Sequence, residues 1–144
     1  ADKYADGTYA PRVSVWPAVS PGSGLLLPSA VRGGLFVTAP QFELGGARGV
    51  NLILNITAAP GAVTLSLAVF AVSPVLGTTY QFDGGTPVAT IAGHVTQIYP
   101  GATLAAAFGV DRRLATSPPG IILCQVQHSA AGNWTYSLEY ELIS

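Results

Sequence analysis

The chain has 144 residues, enough for one domain with its own core, and 49% of them are hydrophobic. Only 9% are charged and the net charge is −1, where an ordinary soluble domain carries about 25% charged residues. The basic residues are scattered and no run of about 18 apolar residues occurs, so a nucleic-acid surface and a membrane-spanning helix are both excluded as expectations.

A chain this poor in charge is expected to bury much of its surface in an assembly. The first region in chain order is 1–28. Pro11, Pro17, Pro21 and Pro28 recur there with Gly7, Gly22 and Gly24, a spacing that breaks helices and interrupts sheet ladders. The same stretch carries more apolar residues than a disordered tail. It reads as an extended N-terminal arm that packs on a neighbouring chain through Tyr9, Val13, Val15 and Trp16. No basic segment followed by an apolar one is seen, so no leader is expected.

The domain proper is expected at 29–144. A first strand is read at about 30–39, with Gly33-Gly34 marking a bulge or a close backbone approach. Residues 45–49, Gly-Gly-Ala-Arg-Gly, lack the Lys-Ser/Thr of a phosphate loop and read as a turn. Val50, Leu52, Leu54 and Ile56 then alternate with Asn51, Ile53, Asn55 and Thr57, the period of a half-buried strand. After Pro60-Gly61, a second inward row runs Val63, Leu65, Leu67, Val69 and Ala71, and the two strands are expected to form a long antiparallel hairpin. Weaker strands are read at 78–82, 88–92 and 95–99. The one helical candidate, 103–108, is short and is expected to be a loop or a single turn.

The C-terminus repeats the hairpin design. Ile122, Cys124, Val126 and His128 share one face of a strand, and Ile121, Leu123, Gln125 and Gln127 the other. A turn at 129–133 leads to Trp134, Tyr136, Leu138, Tyr140 and Leu142, which alternate with polar residues. The fold class expected is all-β: an antiparallel β-sandwich or jelly-roll-like barrel of roughly seven to nine strands.

The chemical inventory is thin. His94 and His128 are the two histidines, and no serine sits in a Gly-x-Ser-x-Gly elbow. Cys124 and His128 lie four strand positions apart, about 13 Å, too far for an ion pair or a shared metal. With a single cysteine no intrachain disulfide forms. Glu139 and Glu141 stand roughly 6.6 Å apart on one strand face, near a glycosidase spacing, but read as a solvated face. Trp134, Tyr136 and Tyr140 have the composition of a sugar platform and the alternation of a core, and the core is the better reading. No catalytic, cofactor or metal residue is assigned. Ile53, Phe70, Ile121 and Leu123 are apolar at outward positions, and are expected to bury against partner chains.

Residues 47–58, Ala-Arg-Gly-Val-Asn-Leu-Ile-Leu-Asn-Ile-Thr-Ala, resemble a segment common in small structural proteins of tailed phages and prophages. The next strand, Val63 to Val69, matches in position and is followed by Pro74 and Tyr80. Ile98-Tyr99-Pro100-Gly101 resembles a Tyr-Pro-Gly element of the same proteins. The likeness covers about 47–142 and lies in pattern and order. Two stretches depart from it: 70–77 is apolar where a Lys- and Asp-bearing turn is usual, and Ser117-Pro118-Pro119-Gly120 replaces an Arg- and Trp-bearing strand start. The resemblance implies a non-enzymatic virion component, a capsid decoration (cement) protein made in the host cytoplasm. Such a protein is commonly a homotrimer on the outer capsid surface, contacting itself and the major capsid protein. A head–tail connector, a tail protein and a carbohydrate-binding β-sandwich module stand as alternatives.

Overall fold

A computed structural model describes residues 22–61, 63–101 and 110–144. They form strands β1 (Ser23–Arg32), β2 (Phe36–Thr38), β3 (Phe42–Glu43), β4 (Gly49–Ala58) and β5 (Leu65–Val72). Then come β6 (Thr79–Asp83), β7 (Gly93–Ile98), β8 (Val110–Leu114), β9 (Ile121–His128) and β10 (Trp134–Ile143). No helix occurs among the described residues. The first sheet has the order β1-β10-β4-β7-β8, and the second β2-β9-β5-β6 with β3 also on β9. All pairings are antiparallel except that of β7 with β8.

The alternation read in the sequence places the core. On β4, Val50, Leu52, Leu54 and Ile56 are at most 2% exposed. Leu54 lies in register with Leu138 of β10 and with His94 of β7. From the second sheet, Leu65, Leu67 and Val69 of β5 pair with His128, Val126 and Cys124 of β9. These inward rows join one hydrophobic cluster with Trp134, Tyr136 and Leu138. Each large side chain so buried contributes about 1.5–3 kcal/mol relative to exposure.

The connections correct the sequence reading. Neither expected hairpin forms: β4 lies in the first sheet and β5 in the second, and β9 and β10 are divided the same way. Both turns carry the chain across the core, so the two apolar rows face each other instead of lying side by side. Gly33-Gly34 is likewise a crossing, not a bulge within one strand. β1 stops at Arg32 in the first sheet, and β2 begins at Phe36 in the second. Residues 88–92 form no strand, only a bridge from Val88 to Leu65. β8 is an added strand that the pattern did not show. Residues 23–28, read as the end of the arm, are the first half of β1 and pair with β10. The arm residues Tyr9, Val13, Val15 and Trp16, and the segment 103–108, lie outside the described residues.

Candidate interaction surface

Three of the four outward apolar residues come together. Phe70 of β5 sits directly opposite Leu123 of β9, and Ile121 follows two positions along β9 on the same face. All three are half-buried on the outer side of the second sheet. Gln125, Gln127, Ser66 and Thr38 continue that face. Glu43, paired with Ile121, is the charged residue among the outward positions of this sheet's strands. The face therefore has the charge depletion of an interface core.

Ile53 is not part of it. It lies on the outer side of the first sheet, in register with Glu139 of β10 and Val95 of β7. That side is polar. Asn51 Nδ2 donates to Glu141 Oε1 at 3.3 Å, and Gln97 Nε2 donates to Asn51 Oδ1 at 3.0 Å, linking three strands. Glu139 and Glu141 are exposed, as a solvated face requires.

The aromatic residues of β10 offer no sugar platform. Trp134 and Tyr136 are fully buried, and Tyr140 stacks on Phe42 with ring centroids 4.1 Å apart. His128 is held in the core. Its Nδ1 lies 3.1 Å from the Gly34 carbonyl and its Nε2 3.0 Å from Tyr136 Oη. A carbonyl only accepts, so Nδ1 donates to it and the Tyr136 hydroxyl donates to Nε2. Among the described residues, no three His, Cys, Asp or Glu side chains converge to hold a metal ion. No helix of the described residues is long and apolar enough to cross a membrane.

Burial pushes the Cys124 thiol from its ordinary 9.0 up to about 12. It pushes the Tyr136 phenol from 10.0 to about 12, with Arg32 opposing. Both groups are favoured in their protonated forms by folding, so their contribution to stability is complete below the unfolded values and is lost as pH rises towards 12. The urea midpoint is expected to fall through the interval from pH 9 to 12, and Cys124→Ala to flatten that fall. In the folded protein at pH 8, Cys124 should resist a thiol reagent that labels it at once in denaturant. Rapid labelling without denaturant would contradict this burial.

The sequence reading missed one polar cluster. Arg112 of β8 donates through Nε to Asp83 Oδ2 at 2.9 Å and through Nη2 to Asp83 Oδ1, and its Nη1 reaches Thr86 Oγ1 at 2.8 Å. Hydrogen bonding to Asp83, above all, raises the guanidinium's already high pKa. Asp83 also accepts from the Gly85 N–H at 3.1 Å. This pair joins β6 of the second sheet to β8 of the first. Asp83-Gly84-Gly85 has the composition of a turn, and nothing local in the sequence points to Arg112 as its partner.

A scan against protein-family models finds no match, and searches of curated proteins and of solved structures find none either.

Proposed function

We propose that this chain is a capsid decoration protein of a tailed-phage particle, binding the outside of the head and stabilising it without catalysis or a cofactor. The observation that carries the reading is the outer face of the second sheet, where Phe70, Leu123 and Ile121 meet on a nearly uncharged surface. The sequence resemblance over 47–142 points the same way. With β3 and β8 set aside, the orders β1-β10-β4-β7 and β2-β9-β5-β6 support a β-sandwich of jelly-roll connectivity. That architecture serves viral capsid and lectin domains alike. In this reading the arm crosses onto a neighbour. The Phe70–Leu123 face closes a ring of three copies, since a closed ring buries such a patch where an open contact would grow fibres. A ring bound across capsomer boundaries stabilises the shell because it binds the assembled shell and not its separated parts.

Sedimentation at micromolar concentration is expected to show an oligomer. Leu123→Glu with Phe70→Glu should give a folded monomer, because facing like charges in a desolvated contact weaken association by roughly a hundredfold or more. Particles stripped of the protein should break at lower temperature than decorated ones. A wild-type chain that stays monomeric counts against the ring, and stripped particles of equal robustness count against the decoration role.

A further inference from the structure

The outer face of the second sheet is divided along its strands. Phe70, Leu123 and Ile121 hold one end. At the other end Phe36, Gln127 and Ser66 lie in adjacent register on β2, β9 and β5. Phe36 precedes the core-packed Val37, so its ring stands on the outer side, and it is 61% exposed. Beside Ser66 opens a shallow cleft of about 180 Å³, lined also by Thr64, Leu65, Pro87, Gln127, His128 and Ser129, and Phe36 stands outside this lining, in register with Gln127. Among the described residues, no carboxylate, lysine or arginine lines it. It is smaller than the roughly 300 Å³ at which pockets for drug-sized ligands begin, a size for one ring.

The polar groups here are held in place. Gln127 Nε2 donates to Gln125 Oε1 at 2.8 Å, and Gln125 Nε2 donates to Thr38 Oγ1 at 3.1 Å. Gln127 Oε1 and the Ser66 hydroxyl have no partner among the described residues. Ser129 Oγ accepts from the Thr64 N–H at 2.9 Å, leaving its own hydrogen to donate outward. His128 has both ring nitrogens engaged within the protein. The cleft thus presents neutral donors and acceptors next to an exposed aromatic ring. An anion would find no cation to pair with. A purely apolar ligand would strip water from the amide and hydroxyls without replacing its hydrogen bonds. A sugar ring meets both demands, with hydroxyls for the polar groups and a C–H face for the aromatic.

We infer that this end of the face binds a neutral saccharide, with Phe36 as the stacking platform and Gln127, Ser66 and Ser129 as hydrogen-bonding groups. Gln127 stands four strand positions from Leu123, about 13 Å, so the two ends serve two partners at once. The saccharide site does not depend on the decoration role. Where copies are arrayed on a particle, weak single sites add up by multivalency.

The test uses the full chain on immobilised neutral oligosaccharides (cellotetraose, maltotetraose and a galactose disaccharide) and on acidic oligogalacturonate, followed by calorimetric titration of the sugars retained. Binding to at least one neutral sugar is expected. Phe36→Ala should weaken it by at least about tenfold and Gln127→Ala measurably, while Phe36→Tyr and Leu76→Ala, at a residue 77% exposed outside both ends of the face, leave it intact. Phe36 packs little of its surface into the protein, so its replacement leaves the fold in place. Absence of binding to every neutral sugar, preference for the acidic one, or wild-type binding by Phe36→Ala would each overturn the assignment.

Discussion

Truncating Trp134 to alanine is expected to lower the free energy of unfolding by about 3–5 kcal/mol, the cost of deleting a large buried aromatic side chain. For a chain of this length the melting temperature should fall by roughly 10 °C or more. Trp134 opens β10, is fully buried, and stacks with the His128 ring at 5.8 Å between centroids. It therefore closes the core where β9 crosses to β10. Its indole Nε1 is buried without a hydrogen-bond partner among the described residues, and an unsatisfied buried donor costs about 1–3 kcal/mol. Trp134→Phe removes that donor along with some volume, so the two effects offset and the variant should lose far less than the alanine one. Urea unfolding of both variants checks the argument. Equal losses would mean that the indole N–H is satisfied in solution.

Much of this core was legible because a half-buried strand writes its inward face in every second residue. Val50, Leu52, Leu54 and Ile56, and later Trp134, Tyr136 and Leu138, were read as inward and are buried. Alternation does not say which sheet a strand joins. A hairpin and a crossing between sheets carry the same two apolar rows and the same turn residues, so Pro60-Gly61 and 129–133 were misread together. β8 escaped because Asp111-Arg112-Arg113 has no apolar alternation, and its anchor, Asp83, lies 29 positions away. The interaction surface was half legible for a related reason. Ile53, Phe70, Ile121 and Leu123 share one signal, an apolar residue at an outward position. Only the registers tell them apart: β5 on β9 brings Phe70 to Leu123, and β4 on β10 leaves Ile53 beside Glu139. Phe36 gave no signal at all, since β2 has 3 residues and no period to read.

Removing either partner of the Asp83–Arg112 pair should destabilise the protein, and Arg112→Ala more than Asp83→Ala. The side chains are unequally exposed, Arg112 at 32% and Asp83 at 8%. Without Arg112, the buried carboxylate keeps the Gly85 N–H and loses its counter-charge, a loss that costs about 3–5 kcal/mol for a buried pair. Without Asp83, the guanidinium is stranded nearer to water, and solvent offsets part of the penalty, leaving about 1–3 kcal/mol. The double variant Asp83→Ala/Arg112→Ala strands neither charge and should cost less than the two single losses added together. The turn beside the pair has no room to adapt. Gly85 sits at φ +77, and a Cβ there would lie 2.3 Å from the Leu67 carbonyl oxygen. The carboxylate is therefore presented in one place, and Arg112 must come to it. Because Arg112 sits mid-strand in β8, which among the described residues pairs only with β7 in its sheet, breaking the pair should loosen β8 before the core. Amide exchange should thus accelerate along β8 in Arg112→Ala while β4 and β10 keep their protection. Uniform acceleration across all strands would show instead that the pair supports the whole fold and not its edge.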